Sequence, residues 1–487
     1  MLGILGIVLS LALLIFLAYR GWNVIFIAPF CATVALLFNW GDAPLLATYT
    51  QTFMPALGNY FAKFFPLFLL GAVFGKLMDD SGSARAIAHR IVQLVGRERS
   101  ILAVVLACAI LTYGGVSLFV VAFSVYPIAV SLFRAADLPK RLIPAAIGLG
   151  SFTFTMTALP GTPAIQNAIP MPFFGTTPFA APGLGLIASA IMLGFGLWWL
   201  GRAEARARKA GEGYGVMLDN APDLVVDDER VREHATGAGE FDPIEIKRGR
   251  PSEQGPPILL AVLPLFVVIV VNLVMVKLVL PQLDAGFLAE ERWGATSLAA
   301  VGGVWAVAVA LLAAIITLVL VGWRHLSGLR QTMDAGANAS VLPIFSVASL
   351  VGFGAVVAAV PAFELVRTWV LSIEGGPLVS LATATNVLAA LTGSASGGLT
   401  IALDALGGTY MKIAAEAGIS PDLLHRVAVI GAGTLDSLPH NGAIVTLLAV
   451  CGCTHRESYL DMFMVAIVGA LLALVAVIGL GTLLGSF

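Results

Sequence analysis

The sequence Leu111-Thr-Tyr-Gly-Gly-Val-Ser117 is followed by Leu138-Pro-Lys-Arg141, Ala145-Ala-Ile-Gly-Leu-Gly150 and Ala158-Leu-Pro-Gly-Thr-Pro163. A matching series begins about 280 residues later: Leu391-Thr-Gly-Ser-Ala-Ser-Gly-Gly398, Ile419-Ser-Pro-Asp422, Val429-Ile-Gly-Ala-Gly433 and Ser437-Leu-Pro-His-Asn-Gly442. In both series, glycines and prolines interrupt apolar stretches in the same order. Such paired interruptions are typical of the substrate site of a secondary transporter built from internal repeats.

The composition indicates a membrane protein. Of 487 residues, 59% are hydrophobic and 11% are charged, whereas a soluble domain carries about a quarter charged residues. The net charge of -2 gives no reason to expect a nucleic-acid partner. Cys451, Cys453 and His455 lack further paired ligands, so we predict no metal and no cofactor. The stretch 71–77 lacks the spacing and the hydroxyl residue of a phosphate loop, so no ATP motor is expected.

Ten stretches are apolar enough to form spans, which need roughly 20 apolar residues. They are Leu2–Ala18, Trp22–Phe38, Phe61–Met78, Leu142–Ala158, Pro182–Leu200, Ile258–Leu280, Thr296–Val321, Val341–Val360, Val427–Leu438 and Tyr459–Leu484. Two further apolar regions, 100–134 and 376–414, are each divided by glycines. Irregular backbone is tolerated at membrane depth only where it lines protein or a water-filled cavity. Both regions are therefore predicted to be re-entrant hairpins.

Residues 201–255 form a hydrophilic linker whose two ends are basic, which places it in the cytoplasm. The other basic loops agree with this assignment, put both termini in the periplasm and give the two halves opposite orientations. We therefore predict an all-α polytopic protein with two inverted repeats, 1–200 and 256–487. Each has about five transmembrane helices, one re-entrant hairpin and one broken helix (141–170 and 422–450). Amphipathic stretches at 84–94 and 362–372 are predicted to lie in the membrane interfaces.

Four polar interruptions should meet near the middle of the membrane: Thr112–Ser117, Thr157–Asn167, Thr392–Gly398 and Asp436–Gly442. None of them contains Lys or Arg. They offer hydroxyls, amides and the N–H groups of helix ends, and a helix N-terminus carries about half a positive charge that attracts carboxylates. Helices starting after Gly115, Pro163, Gly398 and Asn441 would aim such ends inward. We predict a small organic anion as the substrate.

The predicted substrate-binding residues carry hydroxyl, amide, imidazole or exposed backbone groups in these interruptions. They are Thr112, Tyr113, Gly114, Gly115, Ser117, Gly161, Thr162, Gln166, Asn167, Thr392, Gly393, Ser394, Ser396, Gly397, Gly398, His440, Asn441 and Gly442. The same hydroxyls can cap broken helices, and the amides can join neighbouring helices. Both interpretations stay open at this point.

Ionisable residues at membrane depth are costly and are functional candidates by default. Asp436 and His440 lie four residues apart across Pro439, and Asp404 lies about two turns beyond the second hairpin tip. Histidine titrates near neutral pH, and a buried carboxyl can bind a proton in the same range. We predict Asp436, His440 and Asp404 as proton-coupling residues, with a structural Asp–His pair or a helix cap as the alternative.

Three motifs carry a resemblance to a known family: Gly75-Lys-Leu-Met-Asp-Asp-Ser-Gly82, Ala158-Leu-Pro-Gly-Thr-Pro-Ala-Ile165 and Asp436-Ser-Leu-Pro-His-Asn-Gly-Ala443. The chain resembles the gluconate:proton symporters (GntP type), within the ion transporter superfamily of organic-anion carriers. The resemblance implies import of a small hydroxy-carboxylate across the bacterial inner membrane, and the wider superfamily implies a homodimer with an elevator motion. Gluconate members tend to have a His-Pro-Gly-Pro-type segment where this chain has Leu159-Pro-Gly-Thr-Pro163, among apolar neighbours. This departure favours a less hydroxylated acid such as 3-hydroxybutyrate.

Two other transport functions remain open. A sodium-coupled di- or tricarboxylate symporter would use carbonyls of unwound helices and Ser, Thr and Asn oxygens, which this chain also has. An anion channel would also use broken helices, although paired hairpins favour alternating access. No nucleophile–base pair is evident in the sequence, so we do not expect an enzyme.

Overall fold

The structure is a computed structural model that describes residues 2–39, 44–215, 248–252 and 255–487. All regular secondary structure in these ranges is helical, which confirms the all-α prediction for this part of the chain. Most of the predicted linker 201–255 lies outside the described residues, so its cytoplasmic placement stays a prediction.

The first half contains twelve α-helices in the described residues. They are α1 (Leu2–Tyr19), α2 (Val24–Leu37), α3 (Leu45–Thr48), α4 (Met54–Asp80), α5 (Ser83–Val95), α6 (Ser100–Tyr113), α7 (Leu118–Ala135), α8 (Ile143–Ser151), α9 (Phe154–Thr157), α10 (Ile165–Ala168), α11 (Met171–Phe174) and α12 (Pro182–Lys209). A π-helical turn, Tyr49–Phe53, joins α3 to α4. The predicted first hairpin is thus α6 and α7, and the predicted broken helix is α8 to α10.

The second half contains ten α-helices in the described residues. They are α13 (Ile258–Val274), α14 (Leu298–Gly322), α15 (Leu329–Ala359), α16 (Phe363–Leu371), α17 (Pro377–Thr392), α18 (Ala395–Ala417), α19 (Pro421–Thr434), α20 (Gly442–Val450), α21 (His455–Met462) and α22 (Gly469–Leu484). The predicted second hairpin is α17 and α18, and the second broken helix is α19 and α20. The predicted amphipathic stretches correspond to α5 and α16.

Six helical segments of the described residues are long and apolar enough to cross a membrane. They are Leu45–Asp80, Pro182–Lys209, Ile258–Gln282, Glu291–His325, Leu329–Ala359 and His455–Leu484. Shorter apolar helices include Leu2–Ala18, Val24–Leu37, Val120–Ala135 and Pro377–Thr392. These lengths and compositions support a multi-pass membrane protein.

Helices α4 and α15 pack against each other along their lengths. Thr332, near the start of α15, hydrogen-bonds Asp80 at the end of α4. Phe53, just before α4, packs on Gly352 near the other end of α15, so the two helices are antiparallel. A Cβ on Gly336 would lie 2.7 Å from the Cα of Val73, so glycine permits this close approach.

The described ends of the linker are docked on the helices. The backbone N–H of Tyr214 donates to Asp137 beyond α7 at 2.9 Å. At the other end, the N–H of Ser252 donates to the carbonyl oxygen of Asp80 at 2.7 Å. Glu212 pairs with Arg141 at 2.7 Å, and hydrogen bonds from this guanidinium lower the pKa of Glu212. The described ends of the linker therefore both contact the first half, one beside the end of α7 and the other at the end of α4.

The predicted orientation can be checked with single cysteines at Lys209 and Glu374, two exposed positions at the ends of α12 and α16. Cys31, Cys108 and Cys451 are buried, so Cys453→Ser gives a suitable background. We expect an impermeant maleimide added to intact cells to label the cysteine at 374 and not that at 209. Labelling of both positions from outside would contradict the inverted topology.

Candidate functional site

A cavity of about 200 Å³, which we name the central cavity, lies between α4, α15, the first hairpin tip and the first broken helix. The residues that line it are Leu67, Phe68, Gly71, Ala72, Lys76, Asp79, Thr112, Gly115, Val116, Ser117, Leu118, Val120, Met156, Pro163, Ala164, Ile165, Gln166, Ala339, Ser340, Pro343, Val347 and Ser396. Thr112, Gly115, Ser117, Gln166 and Ser396 among them were predicted from the sequence. The structure thus brings together three of the four predicted interruptions.

The first hairpin tip forms one wall of this central cavity. Gly115 has φ +97°, a conformation that favours glycine, and a Cβ there would lie 3.1 Å from Pro163. Ser117 occupies the N-cap position of α7. The hydroxyl of Thr112 is buried and has no hydrogen-bond partner among the described residues. An unpaired buried hydroxyl is costly, so Thr112 is well suited to bind a ligand.

Two other predicted residues of this tip hold it in place. The hydroxyl of Tyr113 donates to the carbonyl oxygen of Pro160 at 2.8 Å and ties the hairpin to the broken helix. Gly114 packs on the side chain of Leu265 from α13, where a Cβ would overlap it. These contacts favour a structural role for both residues.

Lys76 is the one basic residue among the described residues that line the central cavity. It is 4% exposed, and its Nζ lies 2.8 Å from Oδ1 of Asp80 and 3.8 Å from Oδ2 of Asp79. Burial of a lysine requires such pairing. The helical spacings i to i+3 and i to i+4 bring these three side chains together. Sequence reasoning missed Lys76 because it considered only the four interruptions.

Arg426 on α19 is completely buried and fixes the first broken helix. Its guanidinium donates to the carbonyl oxygen of Ala180 at 2.6 Å, to that of Thr157 at 2.9 Å and to Oδ1 of Asn167 at 3.3 Å. Five donors in one plane make arginine suited to hold several acceptors at once. Arg426 lies within the predicted broken helix 422–450, one residue before the apolar span predicted from Val427, and it was not predicted as a functional residue.

Asn167 is also completely buried, and its contacts are structural. Its Nδ2 donates to the carbonyl oxygens of Thr162 and Pro178 at 3.1 and 3.0 Å. Its Oδ1 contacts Nε2 of His425 at 3.1 Å. Gly161, with φ +81°, donates its N–H to the carbonyl oxygen of Pro178 at 2.8 Å. The predicted ligands Asn167, Thr162 and Gly161 therefore shape the unwound segment, while Gln166 lines the cavity.

The second hairpin tip is shorter than predicted. Helix α18 begins at Ala395 and not after Gly398, because Ser394 caps it by accepting the N–H of Gly397 at 3.3 Å. The polar run is thus absorbed into the first turn of the helix. Gly398 packs on the backbone of Ala389 in α17, where a Cβ would overlap it.

Two more predicted residues of this tip have local roles. Gly393 ends α17 with φ +62°. Thr392 donates to the carbonyl oxygen of Leu388 in its own helix at 2.8 Å. Ser396 is the member of this interruption that reaches the central cavity.

The second broken helix is held by Asn441. Its Oδ1 accepts the N–H of Ala443 at 2.7 Å and caps α20, which begins at Gly442. Its Nδ2 donates to the carbonyl oxygen of Gly393 at 2.7 Å and to Oδ1 of Asp436 at 2.8 Å. The cap interpretation therefore accounts for the contacts of Asn441.

The predicted proton-coupling residues Asp436, His440 and Asp404 have different partners. Asp436 contacts Asn441, whereas Nε2 of His440 lies 2.9 Å from the carbonyl oxygen of Ala390. Asp404 lines a separate cavity of about 410 Å³ together with Lys63. None of the three lines the central cavity. Their role in coupling stays a prediction.

A helical membrane protein with a small central cavity, lined by one lysine and hydroxyl groups between broken helices, has the architecture of a membrane transporter. The family model of citrate transporters (CitMHS) matches residues 2–302. The uncharacterized transporter YxjC of Bacillus subtilis (strain 168) is 41% identical over 483 residues, which cover 97% of this chain and 98% of that protein. The chain belongs to the citrate transporter family.

Two further comparisons are more limited. An uncharacterized transporter of Haemophilus influenzae is 34% identical over 105 residues, 21% of this chain and 25% of that protein. The solved structure of Neisseria gonorrhoeae MtrF, described as illuminating a class of antimetabolite efflux pumps, superposes with a TM-score of 0.51. The superposition covers 90% of this chain and 84% of the MtrF chain, with 15% sequence identity. At this identity, the similarity shows a shared fold only. These comparisons do not specifically support the predicted resemblance to gluconate symporters. They do support the predicted broader class of organic-anion carriers.

Proposed function

We propose that the chain is a secondary active transporter that imports a small organic carboxylate together with protons across a bacterial inner membrane. The observation that supports this most is the central cavity, which is lined by buried Lys76, by Thr112 with its unpaired hydroxyl, and by Ser117 and Ser396 from the two hairpins. An ammonium group and hydroxyl donors in a low dielectric are a suitable set of partners for a carboxylate.

The size and walls of the cavity favour a small acid with few hydroxyl groups. Its volume of about 200 Å³ lies below the roughly 300–1,000 Å³ of pockets for drug-sized ligands. Phe68, Met156 and Val347 give it apolar walls. One lysine, already paired with two aspartates, gives little compensation for a trianion. We therefore favour a monocarboxylate such as 3-hydroxybutyrate over gluconate, and we keep citrate as the alternative because of the family.

The arrangement of the helices supports two inverted repeats. In the first half, an amphipathic helix (α5) precedes a hairpin (α6 and α7) and a broken helix (α8 to α10). In the second half, α16, then α17 and α18, then α19 and α20 follow the same order. We propose that the repeats have opposite orientations, that the linker is cytoplasmic, and that a homodimer moves its hairpin-bearing parts as an elevator.

Uptake into proteoliposomes tests the proposed function. We expect radiolabelled 3-hydroxybutyrate to accumulate under an inward proton gradient without sodium, and excess unlabelled substrate to compete. Gluconate and citrate serve as competitors that rank the substrate classes, and a neutral diol of similar size is the control. Uptake that requires sodium would favour the sodium-coupled di- or tricarboxylate symporter. Flux without saturation or accumulation would favour an anion channel.

A further inference from the structure

Asp79 lies where two cavities meet. It lines the central cavity and also a larger cavity of about 960 Å³, which we name the basic vestibule after Arg85, His89 and Arg97 in its wall. His89 and Arg97 are exposed, so the vestibule is open to the surface. The positive-inside rule assigns these basic residues to the cytoplasm. Asp79 thus stands between the central cavity and the predicted cytoplasmic side.

The contacts of Lys76 leave Asp79 as the less compensated of two carboxylates. Asp80 has Lys76 Nζ at 2.8 Å, and its other oxygen accepts from the hydroxyl of Thr332 at 2.6 Å and the N–H of Arg250 at 3.3 Å. Asp79 lies 3.8 Å from Lys76 and accepts a hydrogen bond from Ser124 at 3.0 Å. Within these three side chains, one lysine and two ionised aspartates sum to one negative unit. Arg248 and Arg250 are the charged residues of the linker segment 248–252, whose Arg250 N–H contacts Asp80.

We infer that Asp79 is the residue that binds the coupling proton, an inference that rests on the proposed carboxylate–proton symport. With Asp79 ionised, an entering carboxylate meets a net negative group in a low dielectric and is repelled. With Asp79 protonated, the Lys76–Asp80 pair is neutral and the lysine can also attract the substrate. Proton binding and substrate binding therefore strengthen each other by the same factor.

The surroundings of Asp79 supply a route for the proton. Besides Lys76 and Asp80 on its own helix, the titratable or charged groups in the vestibule wall are Arg85, His89 and Arg97. Arg85 donates to the carbonyl oxygen of Ser252 at 2.8 Å. Arg85 is half-buried, whereas His89 and Arg97 are exposed to water, which screens charges at the mouth of the vestibule and accepts a released proton. The proton can leave Asp79 into the vestibule after the substrate has left.

The experiment compares Asp79→Asn with wild-type protein in proteoliposomes loaded with radiolabelled 3-hydroxybutyrate. Asparagine imitates the protonated carboxyl in size and charge. We expect the variant to lose proton-driven accumulation, to keep measurable exchange of internal for external substrate, and to exchange at a rate that no longer changes with pH. Wild-type exchange should rise several-fold as pH falls. An Asp79→Asn protein that accumulates substrate with the wild-type pH profile overturns the inference.

Two further variants keep the test decisive. Ser124→Ala removes a donor that stabilises the ionised carboxylate, so the midpoint of the pH profile should move to higher pH. If Asp79→Asn does not fold, this shift supports the inference and an unshifted profile overturns it. Asp334→Asn, a neutralisation at an exposed position outside the central cavity, is the control and should keep the wild-type profile; a flat profile there would show that the effect is not specific to Asp79 and overturns the inference. A wild-type protein that transports no carboxylate, or requires sodium, overturns the proposed function itself.

Discussion

Replacing Lys76 with methionine is expected to weaken binding of the transported carboxylate by about 10- to 100-fold. A hydrogen bond to a charged group contributes about 1.5–3 kcal/mol, and each 1.4 kcal/mol corresponds to about tenfold in Kd. Lys76 is the one cation among the described residues that line the central cavity, and it is 4% exposed, so bulk water cannot replace it. Methionine keeps the length of the side chain and removes its charge.

Lys63→Met is the matched control for this experiment. Lys63 lies on the same helix, and it lines the other cavity with Asp404. The same substitution there should leave the affinity for the carboxylate within about twofold, since substitutions away from a site change free energies by about 0.5 kcal/mol or less. Binding is measured by the concentration of carboxylate that half-saturates a thermal shift of the purified protein.

Lys76→Met also removes the partner of Asp80, so a loss of folding must be separated from a loss of binding. Breaking a buried ion pair costs about 3–5 kcal/mol, because the remaining charge is uncompensated. The double variant Lys76→Met with Asp80→Asn removes both charges and should recover most of the thermal stability. It should still bind the carboxylate weakly. A double variant with wild-type affinity would show that Lys76 serves the fold alone.

The hairpins and broken helices were accessible from the sequence because glycine and proline act locally. Gly393 ends a helix with φ +62°, and Gly115 has φ +97°. A glycine can therefore indicate a break in a helix without knowledge of the residues that pack around it. The predicted start of the second helix in the second hairpin, after Gly398, was several residues too late, because Ser394 caps α18 and this helix begins at Ala395. The identity of a polar residue does not reveal whether it caps a helix or faces a ligand.

The residues that line the central cavity were harder to predict from the sequence, because they depend on which helices pack together. Lys76 and Ser340 reach the cavity from α4 and α15, two helices that stay continuous although each contains a proline, Pro66 and Pro343. His425 and Arg426 contact segments more than 240 residues away. One signal was present in the sequence: charged residues beside or within apolar spans, such as Lys76-Leu-Met-Asp79-Asp80, must have partners at depth.

Replacing Arg426 with methionine is expected to lower the free energy of unfolding by about 3–5 kcal/mol, the cost of leaving buried partners of a charged group unpaired. Its guanidinium holds the carbonyl oxygens of Ala180 and Thr157 and the side chain of Asn167, all in the unwound region around the first broken helix. Methionine fills much of the space but offers no donors. Three buried acceptors would then lack their partner, each at about 1–3 kcal/mol.

Arg456→Met is the control for the loss of a guanidinium, because Arg456 is exposed at the start of α21 and should change stability by about 0.5 kcal/mol or less. Arg426→Lys should be intermediate, since an ammonium on a flexible stem cannot reach all three acceptors in one plane. Thermal unfolding of the detergent-purified variants measures the order wild type, Arg426→Lys, Arg426→Met. Because the same unwound segment carries Gln166 into the central cavity, carboxylate affinity should fall in the same order. Wild-type stability with lost binding in Arg426→Met would instead mean that the guanidinium acts on the substrate and does not hold the segment.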